Sequence, residues 1–194
     1  MSESLNESLQ IIARHLSDMQ RPVLQVLQKG IAGSEVCRQL STAGLAAPDG
    51  LATLYEWHNG TLDYPGAKLD DIHIVPGFYF PDLDEALTNY ATFKSDPRWR
   101  EGWLPLLANG GGDFYAVDCS DNVATQGHVH NFMLDEIEHP LEYLSISAMF
   151  ATFAAAYDRQ IYFLHPSGYL DANDETFVDM ARSMNPAAPG WALY

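Results

Sequence analysis

The centre of the chain reads Trp103-Leu-Pro-Leu-Leu-Ala-Asn-Gly-Gly-Gly-Asp-Phe-Tyr-Ala-Val-Asp118. Its two ends, residues 103–107 and 114–118, have the apolar and aromatic composition of β-strands. The glycine-rich segment between them leads into strand sequence, whereas a phosphate-binding loop leads into a helix, and a P-loop also requires Lys followed by Ser or Thr. The pattern therefore predicts a tight hairpin at residues 109–113 whose glycines adopt positive φ.

Three further segments have the alternating pattern of strands. They are residues 72–75, residues 78–80, which follow the Pro76-Gly77 turn, and residues 128–134. Helical patterns lie on both sides of this group, with predicted starts at Ser4, Ser34, Pro48, Asp82, Ser145 and Asp174. The helix after Pro48 is predicted to end in a left-handed cap at Asn59-Gly60. Consecutive strands flanked by helices are typical of the α+β class.

The N-terminal helix has the clearest local signals. Ser4 and Glu7 form a capping box, and apolar residues recur every three or four positions over residues 5–27. Pro22 is predicted to split or kink this helix near Gln20. At the other end of the chain, the apolar tail Trp191-Ala-Leu-Tyr194 is expected to pack back onto the body or onto another chain, because burial of apolar surface is favourable.

Composition restricts the class of protein. The 194 residues carry 26 Asp and Glu against 10 Lys and Arg, a formal net charge of −16. This charge disfavours nucleic acids and anionic membranes as partners and favours a basic protein, with solubility as the alternative explanation. Cys37 and Cys119 form no metal-binding or disulfide motif. Residues 1–10 are polar and acidic, without the basic start and apolar run of a secretory signal, and no apolar stretch reaches roughly 20 residues. We expect a cytoplasmic protein without a cofactor; the oligomeric state is left open.

The acidic residues fall in clusters. Asp63, Asp70 and Asp71 flank the first central strand, and Asp82, Asp84 and Glu85 open a helix, where carboxylates are favoured by the helix dipole. A further cluster has no such explanation. It comprises Asp135, Glu136, Glu138 and Glu142, followed by Tyr143. We predict that these five residues form a docking surface for a basic partner, assisted by Asp82 and Asp84; a solvated loop is the alternative.

Few residues suggest a catalytic or metal-binding function. His128 and His130 share one face of a predicted strand, and a carboxylate such as Asp113 or Asp118 from the neighbouring strand would complete a metal site. Two surface histidines are the more ordinary interpretation. The chain contains neither a G-x-S-x-G elbow nor an H-E-x-x-H motif. A metal-dependent hydrolase is therefore kept only as a third hypothesis, and the prediction is a protein without enzymatic activity.

Five motifs in this order resemble the SUKH superfamily, which comprises fungal cell-wall-assembly regulators and bacterial immunity proteins. The matching stretches are Leu51-Ala-Thr-Leu-Tyr-Glu-Trp-His-Asn-Gly60, Pro76-Gly77 followed by Phe80-x-x-Leu83-x-Glu85-Ala86, Trp103-Leu-Pro-Leu106, Asn109-Gly-Gly-Gly-Asp113 through Asp118, and residues 145–157. The resemblance covers a little over half of the chain. Residues 1–44, a helical N-terminal extension, and residues 161–194, a C-terminal extension, lie outside the core at about residues 45–160, all within one domain.

The resemblance implies a fold and a role. The fold is a curved, mostly antiparallel sheet flanked by helices, and the role is non-enzymatic binding. In bacteria the family implies an immunity protein that neutralises a polymorphic or contact-dependent toxin, and many such toxins are nucleases with basic surfaces. An acidic inhibitor would approach such a surface rapidly. The alternative within the family is a regulatory scaffold that binds a host protein or a small ligand.

Overall fold

The computed structural model describes residues 4–62 and 68–194. Its helices are α1 (Leu5–Asp18), α2 (Val23–Val26), α3 (Gly33–Thr42), α4 (Leu51–Trp57), α5 (Leu83–Phe93), α6 (Ile146–Asp158) and α7 (Asp174–Met184). Its strands are β1 (Leu27–Lys29), β2 (His58–Thr61), β3 (His73–Val75), β4 (Phe78–Tyr79), β5 (Trp103–Ala108), β6 (Phe114–Asp118), β7 (Val129–Phe132), β8 (Leu141–Tyr143), β9 (Tyr162–Leu164) and β10 (Leu170–Ala172). Two 3-10 turns lie at Leu69–Ile72 and Pro189–Ala192. Of the acidic residues beside the first central strand, Asp63 lies outside the described residues.

The main sheet contains β3 to β8, and each strand pairs antiparallel with the next strand along the chain. The sheet curls into a half-barrel with helices around it, which confirms the predicted α+β fold with a curved antiparallel sheet. Two small antiparallel pairs, β1 with β2 and β9 with β10, lie outside this sheet. Within the described residues, none of the helices has the length and apolar character that crossing a membrane requires.

The glycine-rich turn between β5 and β6 is the predicted hairpin. Gly110 and Gly112 have φ values of +77° and +106°, which side-chain-bearing residues rarely adopt. The Asn109 side chain organises the turn, since its Oδ1 accepts hydrogen bonds from the N–H groups of Gly111 (2.7 Å) and Asp113 (3.0 Å). The prediction of a tight hairpin with positive φ is confirmed.

The N-terminal helix packs along α6. The predicted capping box is present, with the Ser4 hydroxyl accepting from the Glu7 N–H and the Glu7 carboxylate accepting from the Ser4 N–H. Helix α1 ends at Asp18, and Gln20 turns the chain with a φ of +54° just before Pro22. The predicted interruption near Pro22 is therefore confirmed. Buried α1 side chains, such as Ile12, join the same core as α6.

The two faces of the main sheet carry different residues because side chains alternate along each strand. On one face, Val117 and Val129 pack into the main core with Phe150 and Phe153 of α6. The other face holds a smaller set, which we call the aromatic cluster. Its buried members are Trp99, Trp103, Ala108, Phe114, Ala116 and Phe132, and Phe93 of α5 packs against them.

Three local predictions are wrong. Asn59 and Gly60 belong to strand β2 rather than to a helix cap, although Gly60 does adopt a positive φ of +73°. The physical reason is a close backbone approach, since a Cβ atom on Gly60 would lie 2.2 Å from the Asp82 nitrogen. Ser34 lies inside α3, which is preceded by Ala32 as its N-cap, and α4 begins after Gly50 rather than at Pro48.

The C-terminal tail packs back onto the body, as predicted for its apolar residues. Trp191 is buried, and its indole Nε1 donates a hydrogen bond to the backbone oxygen of Glu142 in β8 (2.6 Å). The backbones of the tail and of β8 also approach closely at Gly190, where an added Cβ atom would lie 2.4 Å from the oxygen of Leu141. The tail thus lies against the edge strand of the main sheet.

Candidate docking surface

The chain between β7 and β8, residues 133–140, carries three of the predicted acidic contact residues. We call this segment the acidic loop. Asp135, Glu136 and Glu138 are all exposed, and Ile137 between them is 87% exposed. An exposed aliphatic side chain surrounded by carboxylates has the composition of a protein contact site, with an apolar centre and a polar rim.

Two side chains hold the acidic loop against the sheet. Nη1 of Arg98 donates hydrogen bonds to the backbone oxygens of Leu134 and Glu136, the latter at 3.4 Å. From the glycine-rich hairpin, Oδ1 of Asp113 accepts a hydrogen bond from the Leu134 N–H at 2.8 Å. The carboxylates of the loop therefore project from an anchored backbone.

Arg98 is itself held in place by Asp96. The two side chains form an ion pair with Nη2 2.8 Å from Oδ2, and the Arg98 Nε donates to Oδ1 at 3.0 Å. These hydrogen bonds lower the pKa of Asp96 to about 2, so the carboxylate stays ionised. The positive charge of Arg98 is thus already paired, and its remaining N–H groups are directed at the loop backbone.

The acidic loop covers the aromatic cluster. The His139 ring lies 4.2 Å from the Phe132 ring, and the Arg98 guanidinium lies 5.8 Å from the same ring. His130 stacks on Trp103 with ring centroids 4.4 Å apart. Burial lowers the pKa of His130 to about 4 and also lowers the pKa of His139. The two imidazoles beneath the loop therefore favour their uncharged form at neutral pH.

A cavity of about 350 Å³ opens beside the loop. Its lining includes Arg98, Arg100 and Trp103, together with Ile137 and Glu138 of the acidic loop. The remaining lining residues are His139, Pro140 and Leu193. A partner side chain that enters this cavity would meet both an acidic and a basic group, so the acidic loop offers a shaped recess as well as a charged exterior.

Two of the predicted contact residues are buried. Glu142 is 1% exposed and Tyr143 is 0% exposed, because they lie in β8 rather than in a loop. The Trp191 indole covers this strand, and its ring centroid lies 5.5 Å from that of Tyr143. We correct the prediction accordingly and remove Glu142 and Tyr143 from the docking surface.

Asp82 and Asp84 lie away from the acidic loop. Asp82 is the N-cap of α5, where its carboxylate accepts from the Glu85 N–H (2.8 Å) and from Nε2 of Gln28 (3.0 Å). Phe93 at the opposite end of the helix contacts the aromatic cluster. Eleven helical residues separate the two ends by about 16 Å. The structure therefore does not join Asp82 and Asp84 to the acidic loop, and the helix dipole accounts for their position.

The four metal-ligand candidates do not converge. Asp113 and Asp118 stand at opposite ends of β6, about 16 Å apart at the usual strand rise. Asp113 is engaged by the loop backbone, Asp118 accepts from the Ser120 N–H (2.8 Å), and His130 stacks on Trp103. Within the described part of the chain, no three His, Cys, Asp or Glu side chains are arranged to hold a metal ion.

Sequence patterns did not point to Arg98 and Asp96, which hold the acidic loop, or to His139, through which the loop packs on Phe132. Asp113 was named only as a metal-ligand candidate. Arg98, Asp96 and His139 are separated along the chain by up to 43 positions, and their meeting depends on the fold. One signal was available, since Asp96-Pro-Arg98 places an acid and a base around a proline in a chain with few cations. Such a pair marks a local ion pair but does not reveal what the guanidinium contacts.

Comparison with protein families agrees with this architecture. The model of the SMI1 / KNR4 family (SUKH-1) matches residues 40–156, a region that contains all six strands of the main sheet and the acidic loop. No curated protein matches the chain at a significant level. The family includes toxin-immunity proteins and regulators and is in general non-enzymatic. Because the match covers more than half of the sequence, the chain belongs to the SMI1 / KNR4 family (SUKH-1).

Proposed function

We propose that the protein is an immunity protein that binds and neutralises a basic toxin through the acidic loop. The observation that carries the proposal is the exposure of Asp135, Glu136 and Glu138 around Ile137 on an anchored backbone. The inclusion of toxin-immunity proteins in the family supports the same role. Neutralisation would follow from occlusion of the toxin, so no bond has to be made or broken.

Charge would govern the rate of binding. A net charge of −16 attracts a basic partner over a distance of about one Debye length, which is about 8 Å at physiological salt. Such steering raises association rates by about 10- to 1,000-fold. On a nuclease, the same carboxylates would occupy the positions at which the phosphates of the substrate bind.

Anchoring would help affinity. Ordering the loops of an interface has a free-energy cost, which is about 0.5–1.5 kcal/mol for each immobilised flexible side chain. The hydrogen bonds from Arg98 and to Asp113 hold the loop backbone in the unbound protein. Ile137 would then supply apolar area at the centre of the contact, where binding energy concentrates.

The test uses the toxin candidate encoded by a neighbouring gene, as the C-terminal domain of a large secreted protein. The variant D135K/E136K/E138K reverses the charge of the loop. We expect its association rate constant to fall at least about tenfold at low salt, its salt dependence to weaken, and its protection of cells that express the toxin domain to be lost.

A matched control reverses three exposed carboxylates elsewhere, as D18K/D49K/D121K. Both triple variants change the net charge equally, so a local contact affects only the first variant strongly. Equal effects of the two variants would show that the loop acts only through the net charge of the protein. That result would overturn the assignment of the loop as the contact site. Full protection by D135K/E136K/E138K, or capture of a regulatory partner in place of a toxin, would overturn the proposed function.

A further inference from the structure

A second cavity, of about 270 Å³, lies between the C-terminal segments and the edge of the main sheet. Glu142 and Asn131 line it with polar groups, while Tyr115, Phe177 and Trp191 line it with aromatic rings. Tyr194 and the α7 residues Asp174 and Val178 complete the lining. The acidic loop contributes no residue to this cavity.

Glu142 places a carboxylate in this buried setting. Its Oε1 accepts hydrogen bonds from the Tyr194 hydroxyl (2.6 Å) and from Nδ2 of Asn131 (3.1 Å). Within residues 4–62 and 68–194, Oε2 of Glu142 and Oδ1 of Asn131 have no hydrogen-bond partner. Both unpartnered atoms are closed off from solvent and are acceptors when the carboxylate is ionised, so two buried acceptors beside the cavity lack a donor.

A buried carboxylate without a cationic partner is unfavourable. Removing a charged group from water has a large free-energy cost unless an opposite charge or several donors replace the lost hydration. Burial accordingly raises the pKa of Glu142 above its ordinary value. A bound cation that donates hydrogen bonds would supply both the charge and the donors.

The aromatic rings favour the same type of ligand. The faces of Trp, Tyr and Phe attract organic cations, and the attraction grows when the site is shielded from water. The Trp191 and Phe177 rings have centroids 5.9 Å apart, and those of Trp191 and Tyr194 are 5.6 Å apart. A small alkyl chain attached to the cation would contact these apolar walls.

The C-terminal tail is held in position over the cavity. Arg182 of α7 donates from Nε to the backbone oxygen of Trp191 (3.0 Å) and from Nη2 to that of Tyr194 (2.8 Å). Tyr194 remains about half exposed, and its hydroxyl reaches the carboxylate of Glu142. The ring of Tyr194 therefore stands between the solvent and the buried acceptors.

We propose that this cavity binds an organic cation, through an ammonium or guanidinium group that donates to Glu142 and Asn131. The cation has two possible sources with the same chemistry, a free small amine or a Lys or Arg side chain of a partner protein. The inference does not depend on the acidic loop or on the proposed toxin.

The test measures binding of n-butylammonium and n-butylguanidinium to the full chain by calorimetry and by NMR chemical-shift changes at the Trp191 indole. The uncharged n-butanol serves as the matched ligand. We expect saturable binding of at least one cation and no comparable binding of the alcohol. In E142Q, which keeps an oxygen able to accept from Tyr194, we expect Kd to rise at least about tenfold.

Two controls keep the result interpretable. The variant D121N removes one exposed negative charge, as E142Q removes a buried one, and is expected to bind the cation as the parent chain does. If E142Q does not fold, N131L tests the second acceptor and is also expected to weaken binding. Absence of saturable binding, equal binding of n-butanol, or unchanged binding by both E142Q and N131L would overturn the inference.

A competition experiment distinguishes the sources. If a partner side chain enters the cavity, n-butylammonium will compete with the toxin domain and E142Q will weaken that complex. If the natural ligand is a free amine, the two will bind independently. Full protection by the loop variant together with saturable cation binding would overturn the proposed function alone. Loss of toxin binding by the loop variant together with absence of cation binding would overturn this inference alone.

Discussion

The buried His130 predicts a specific loss of stability in acid. Burial lowers its pKa from 6.5 to about 4, with Arg100 and His128 acting in the same direction, while the backbone oxygen of His139 and the Asp118 carboxylate oppose the shift. The folded protein therefore binds a proton at this ring less readily than the unfolded chain does. The contribution to stability is complete above pH 6.5 and is lost as the pH falls towards 4.

The magnitude follows from the two pKa values. Each unit of difference corresponds to about 1.4 kcal/mol, so the full contribution of a shift from 6.5 to about 4 is about 3 kcal/mol. Between pH 7 and pH 4.5, before the folded protein binds the proton fully, the expected loss is about 2 kcal/mol. Protonation would also place a charge on the ring that stacks on Trp103.

The substitution H130F separates this effect from other acid effects. Phenylalanine keeps a ring against Trp103 but has no titrating group, and it also loses the 3.3 Å contact with the His139 oxygen. The lost contact lowers stability by about 1 kcal/mol at every pH. Urea unfolding of both proteins from pH 7 to pH 4.5 should therefore show the parent chain losing about 2 kcal/mol more than H130F.

Titrating groups whose pKa does not depend on His130, including His139 and His73, are present in both proteins and cancel in the difference. An NMR titration gives a direct check, since the His130 ring should stay neutral at pH 5 in the folded protein and titrate near 6.5 in urea. Parallel pH profiles of unfolding for the parent chain and H130F would refute the reasoning, as would a ring that protonates near pH 6.5 in the folded state.

Two further predictions concern the scaffold. D113A removes the acceptor for the Leu134 N–H, so we expect a loss of about 1–3 kcal/mol and faster amide exchange at Leu134; unchanged exchange would show that Asp113 does not anchor the loop. G60A adds a Cβ atom 2.2 Å from the Asp82 nitrogen, whereas G77A adds one in open space at a similar φ. Thermal unfolding should therefore show a loss of about 1–2 kcal/mol for G77A and a clearly larger one for G60A, and equal losses would contradict the close approach.

The acidic loop shows which residues of the candidate docking surface can be predicted from sequence patterns. Asp135, Glu136 and Glu138 could be selected because an unexplained run of carboxylates is visible without a fold. Glu142 and Tyr143 follow so closely in the sequence that its pattern places them on the same surface, yet they are buried. Four positions are enough for a chain to pass from an exposed loop into an edge strand, and composition does not mark that boundary.

Sequence patterns do not predict the contacts that hold the acidic loop or those that form the second cavity. Arg98 reaches the acidic loop across 36 residues, and Trp191 covers Glu142 across 49 residues. The strand formed by His58 and its neighbours exists because β1 lies beside it, 30 residues earlier in the chain. None of these contacts leaves a periodic signal, since the partners are unrelated in sequence.

Features whose energetics are local can be predicted from the amino-acid sequence. The hairpin at Asn109 and the capping box at Ser4 each depend on hydrogen bonds and backbone angles within about five residues, so neighbouring side chains specify them fully. Which carboxylates face solvent and which are buried depends on the folded chain as a whole. Burial is a property of the assembled core, and whether Glu142 meets water or an aromatic wall depends on the C-terminal tail that packs over it.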